Sequence, residues 1–157
     1  MDRVDVLGED GAPYWVEHQG KKYRMSRLIG RVKAQWELHL RTRALEYLQD
    51  MKGLLPEDMY AKEVAEYKDK LSYGGYSWGS AESKKLMETQ EGSFRLSYFC
   101  FLEHQPDMDE AEFLDIFIHQ NDAVQRGLEA MMAPMVEVAK KNEAREQAKL
   151  KKTWGLK

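Results

Sequence analysis

Apolar residues recur along this chain at two different spacings, and the change from one to the other divides it. Around Gln19-Gly20 the spacing is two: Tyr14 and Val16 on one side, Tyr23 and Met25 on the other, occupy alternating positions. Two such runs flanking a two-residue turn predict a β-hairpin over residues 14–25. A two-stranded ribbon is marginal in water by itself, so the hairpin is expected to pack on helices or on another molecule. Residues 1–25 therefore read as an arm.

From Ser26 the spacing lengthens to three and four. Leu28, Val32, Trp36, Leu40, Ala44, Tyr47 and Leu48 trace one face of a helix, with Ser26 as N-cap and Gly53 as terminator. Pro56 falls at a first helical position, and Glu57 and Asp58 suit the positive end of the helix dipole. That second helix runs to about Leu71 and is expected to bury Met59 or Tyr60, Val64, Tyr67 and Leu71. A short helix near 81–89 leads into Gly92. Residues Ser93–His104 then carry apolar side chains all round the axis, which places this helix at the centre of the core. After Pro106 the clearest boundary follows: Asp109 as N-cap, Glu112 three residues on, and Met108 placed to staple against Phe113. Phe113, Leu114, Ile116, Phe117 and Ile118 supply the buried side of this helix. A last helix begins near Asp122 with Val124, Leu128, Met131 and Met132, and Pro134 is expected to kink or restart it.

The pattern predicts a mainly α protein: a helical domain over residues 26–138 built as a bundle of about five helices, with the hairpin arm before it and a basic helical extension, 139–157, after it. No solenoid-length repeat or low-complexity tract interrupts this plan. One domain suits a chain of 157 residues.

Charge adds a polarity that the helical pattern does not show. The chain has a net charge of -3, yet residues 140–157 hold seven Lys or Arg against two Glu, +5, leaving -8 on the remainder. The opening Met1-Asp2-Arg3-Val4-Asp5 does not read as a secretory signal. No segment approaches the roughly 18 to 20 apolar residues that a membrane-spanning helix needs. A single cysteine, Cys100, excludes an internal disulfide and suits a reducing compartment. Together these point to a soluble, cytoplasmic protein.

Candidate chemistry is sparse. His18, His39, His104 and His119 form no HExxH and no compact ligand spacing, so no metal site is expected. His104 and His119 are the pair that adjacent helices could bring together, with Asp107 or Asp109 nearby. Cys100, between Phe99 and Phe101, reads as a core thiol. Glu57/Asp58 and the Asp107–Glu112 cluster are accounted for by capping and the helix dipole. The glycines at 74, 75 and 79 lack the Gly-Lys-Ser/Thr ending of a phosphate loop. The reading is therefore non-enzymatic, with no catalytic residue and no cofactor. Two segments remain as protein-interaction candidates. The loop Ser72–Ser80 presents Tyr73, Tyr76 and Trp78, for which packing on the bundle is the alternative to an exposed interface. The tail presents Lys151, Lys152 and Trp154, suited to a protein groove, to nucleic acid, or to solvent alone.

The stretch Glu91-Gly92-Ser93-Phe94-Arg95-Leu96-Ser97-Tyr98-Phe99-Cys100-Phe101-Leu102-Glu103-His104-Gln105-Pro106-Asp107-Met108-Asp109-Glu110-Ala111-Glu112-Phe113 resembles the tail assembly chaperones of long-tailed bacteriophages: an aromatic and leucine-rich helix, then His-x-Pro-Asp, then an acidic helix start. Gln19-Gly20-Lys21-Lys22-Tyr23-Arg24-Met25 is similar to the short β opening of several such proteins. The resemblance covers about a third of the chain. It implies a protein that binds the tape measure protein and helps tail tube subunits polymerise around it, in the cytoplasm of a bacterial host. The basic tail and the Tyr/Trp loop have no counterpart in that pattern. They keep open a structural subunit of the virion, such as a neck, connector or tail ring component. A small nucleic-acid-binding regulator using the tail is a further alternative, opposed by the acidic remainder.

Overall fold

A computed structural model of the chain describes Val6 and residues 13–155, with the backbone alone for 133–142. It is mainly helical with one two-stranded sheet: β1 (Trp15–His18), β2 (Lys21–Arg24), α1 (Gly30–Met51), α2 (Glu57–Ser72), α3 (Ala81–Met87), α4 (Gln90–Leu102), α5 (Glu110–His119) and α6 (Asn121–Thr153). No helix among the described residues is long and apolar enough to cross a membrane.

The hairpin forms where alternation places it. Val16 pairs with Tyr23 and His18 with Lys21. Gln19 and Gly20 have φ of 49° and 76°, the two left-handed positions that a tight hairpin turn requires. Its inner face is buried on the helices: Val16 and Met25 are almost wholly enclosed, and Tyr23 and His18 nearly so. Gly127 on α6 makes this approach possible, because a Cβ there would lie 2.6 Å from the Met25 sulfur and 2.9 Å from the Tyr14 ring.

Ser26 is not a helix cap. Its N–H donates to the Cys100 carbonyl at 3.1 Å, its hydroxyl donates to the Arg27 carbonyl, and the residue is fully buried. The bond holds it in extended backbone, and α1 starts at Gly30 instead. The buried stripe of α1 is Val32, Trp36, Leu40 and Leu48; Tyr47, expected inside, is exposed. Pro56 sits at the cap of α2, just before its first helical residue.

α2 departs furthest from expectation. None of its residues is buried: Tyr60, Val64 and Tyr67 are half-covered, while Met59 and Leu71 lie open. The helix leans on α1 along one side only.

Gly92 is not a break. It lies in the first turn of α4, which is capped by Thr89, and its missing side chain lets the turn press on α3: a Cβ there would meet the Leu86 carbonyl oxygen at 1.8 Å. α4 is the central helix, touching α1, α3, α5 and α6. Phe94, Tyr98 and Phe101 surround the Phe113 ring at centroid distances of 5.1 to 5.3 Å. On α5, Phe113, Ile116 and Phe117 turn inward, whereas Leu114 and Ile118 face solvent. Five apolar residues in a run of six cannot share one face at 100° per residue. α6 buries Val124, Leu128 and Met131, continues helical through Pro134, and exposes every residue from Glu143 to Gly155.

Candidate functional site

Two places on this frame gather chemistry. The first is a groove of about 780 Å³ between α1 and α2, lined as well by Tyr76, by Glu82 of α3 and by Glu91, Phe94 and Arg95 of α4. Leu40, Leu48, Tyr67 and Phe94 contribute apolar surface. Six carboxylates (Glu46, Asp50, Glu63, Glu66, Glu82 and Glu91) outnumber three cations (Arg43, Lys70 and Arg95).

All three cations are already engaged. Arg43 forks onto Glu91 through two 3.0 Å bonds, Lys70 meets Glu82 at 3.1 Å, and Arg95 holds Glu110. The Glu82 hydrogen bond holds the Lys70 ammonium above its ordinary pKa, and the Arg95 bond holds the Glu110 carboxyl below its own. His39 lines the groove between the Trp36 and Phe99 rings, its Nε2 buried without a hydrogen-bond partner among the described residues. Burial, then Arg95 and Arg43, push its pKa down. Carboxylates therefore dominate the charge of the groove.

The second place joins the hairpin to α5. His18, facing inward from β1, sets Nε2 at 2.8 Å from Asp115 Oδ2, and His119 sets Nδ1 at 3.1 Å from Asp115 Oδ1. The His119 nitrogen also lies 2.9 Å from the Asp115 carbonyl, and the Gln120 amide reaches His18 Nδ1 at 3.3 Å. The two imidazoles stack at 5.7 Å. The hydrogen bond from His18 is the largest influence drawing the Asp115 pKa down. It was His104 that the sequence suggested for His119; the ring stacked on His119 is that of His18. The signal for this lay in the hairpin, where the alternation of Tyr14 and Val16 continues to His18, and in the Asp115-x-x-x-His119 spacing on one helix face.

The sequence-selected interaction residues lie apart from the histidine cluster. Trp78 is half-buried edge-on against Trp36 at 6.4 Å, with Lys33 over its ring at 5.7 Å. Tyr76 packs on Tyr67 at 5.6 Å in the lining of the acidic groove, and Tyr73 is exposed. Lys151, Lys152 and Trp154 are all exposed at the end of α6. Cys100 is fully buried, and burial raises its thiol pKa far out of the reactive range.

Comparison with protein-family models, curated proteins and solved structures finds no match to this chain.

Proposed function

We propose that this chain is a non-enzymatic binding protein whose acidic groove between α1 and α2 holds a basic helical segment of a protein partner. The observation that carries the reading is α2, a helix of 16 residues with none buried. In water a helix gains most of its stability from packing an apolar face, and α2 forgoes most of that gain. A ligand helix laid between α1 and α2 would cover the exposed Tyr47 and the half-covered Tyr67, as in helix-in-groove recognition. The excess of carboxylates favours lysine and arginine on the incoming helix. With the resemblance to tail assembly chaperones, the particular partner is the tape measure protein or the tail tube subunit of a long-tailed phage.

A second reading has its own support. The exposed end of α6 is basic and carries Leu150 and Trp154. It matches the groove in charge, so the segment held can belong to another copy of the chain. This is the arrangement of a ring or connector subunit in a virion.

Light scattering after size exclusion, on the full chain and on a variant lacking residues 140–157, separates the two. A small species with an unchanged number of subunits that captures a basic tape-measure helix supports the chaperone. A large discrete oligomer that dissociates on truncation rejects it in favour of the ring subunit.

A further inference from the structure

We propose that His18, Asp115 and His119 form a zinc(II) site that ties the hairpin to α5. One ligand atom from each residue lies within 4.8 Å of the others. Two imidazoles and one carboxylate are a nitrogen and oxygen set suited to zinc and neighbouring late first-row ions, and poor for calcium or magnesium, which take oxygen ligands.

An ion pair alone leaves part of this arrangement unexplained. The other inward residues of the hairpin are apolar, Val16, Tyr23 and Met25, and an aliphatic side chain at position 18 would extend that face without needing a partner. His18 instead is nearly buried, with both ring nitrogens directed at specific groups, Nε2 at Asp115 and Nδ1 at Gln120. A histidine whose second nitrogen is held by an outer partner has the orientation that metal ligation needs. With Nε2 on the metal, Nδ1–H would donate to the Gln120 side-chain oxygen, which a flip of that amide supplies. Asp115 offers a separate oxygen to each of the two stacked imidazoles.

Tetrahedral zinc with bonds of about 2.0–2.1 Å sets its ligand atoms roughly 3.3 Å apart. Packing fixes His18, while His119 and Asp115, whose side chains are 60% and 46% exposed, can draw in towards it. Three protein ligands leave at least one position open on the solvent side, for water or for a carboxylate or imidazole of a partner. The exposed Leu114 and Ile118 belong to the same helix as this opening.

The test uses the untagged full-length chain, since a polyhistidine tag would bind the ion itself. Zinc titration by calorimetry should give one site per chain, and cobalt(II) in place of zinc should give visible bands of a low-coordinate nitrogen and oxygen site. His119→Gln, at an exposed position that keeps the His18–Asp115 bond, should abolish both signals and leave the circular dichroism unchanged. Asp115→Asn should do the same to the signals, and Gln120→Ala should weaken zinc binding by roughly 10- to 100-fold. No zinc uptake by the wild-type chain, or stoichiometric uptake that persists in both His119→Gln and Asp115→Asn, overturns the proposal.

Discussion

The indole N–H of Trp36 donates to the Ser83 hydroxyl at 2.9 Å, and both residues are fully buried although 47 positions apart. The bond satisfies the largest fully buried side chain among the described residues and links the short helix α3 to α1. Ser83→Ala removes the acceptor and leaves the indole donor unpaired in the core. The expected loss is about 1–3 kcal/mol, measured by urea unfolding followed through tryptophan fluorescence; a loss within error would mean that the indole finds another acceptor.

Gly92 and Gly30 make a matched pair. Both lie in the first turn of a helix, but a methyl at position 92 would strike the Leu86 carbonyl, whereas position 30 opens on empty space. Gly92→Ala is expected to cost about 3 kcal/mol or more, since backbone and not a flexible side chain must yield. Gly30→Ala should be neutral or stabilise by up to about 1 kcal/mol. Thermal denaturation of the two variants side by side checks the contrast, and equal melting temperatures would show that α3 and α4 can separate.

Stability should fall on mild acidification through His39. Its folded pKa lies below the unfolded value of about 6.5 because burial, Arg95 and Arg43 disfavour the imidazolium more than Glu91 and Glu46 favour it. The unfolded chain therefore binds more protons between the two values, and stability rises with pH across that window. The contribution is complete above the unfolded pKa and declines as pH drops towards the folded one. Unfolding free energies measured from pH 7.5 downwards should show a shallower decline for His39→Gln than for the wild type. Parallel pH profiles would remove His39 from the account.

The Asp109 carboxylate accepts from the Glu112 N–H at 2.8 Å and caps α5. Asp109→Ala should cost about 1 kcal/mol, and Asp109→Ser should restore most of it, both read from urea midpoints. An Ala variant as stable as the Ser variant would show that the neighbouring turn, and not the side chain, starts the helix.

What the sequence disclosed follows the range of the interactions involved. The Gln19-Gly20 turn and the Asp109 cap are settled by residues within four positions of one another, and both were legible. So was the central place of α4, because a helix apolar on every side has nowhere else to go. Ser26 misled because its partner, the Cys100 carbonyl, lies on a distant helix, and cap preference carries no information about that bond. Leu114 and Ile118 misled because hydrophobicity was taken without its angle. The amphipathic pattern of α2 was read correctly as a helix and wrongly as a buried one, since periodicity reports a face and not what covers it. His18 and Asp115 are separated by 97 residues, and only the folded chain sets one against the other.

The exposed stretch of α6 also has a mechanical side. At 1.5 Å per residue the helix from Asn121 to Thr153 is about 50 Å along its axis, of which roughly 16 Å, from Glu143 onward, carries only exposed side chains. A helical stretch of that kind sets a distance. A partner held at Lys151, Lys152 and Trp154, as proposed above, would be shifted by about 5.4 Å along the helix axis by inserting or deleting one helical turn before Glu143, even with every contact residue intact.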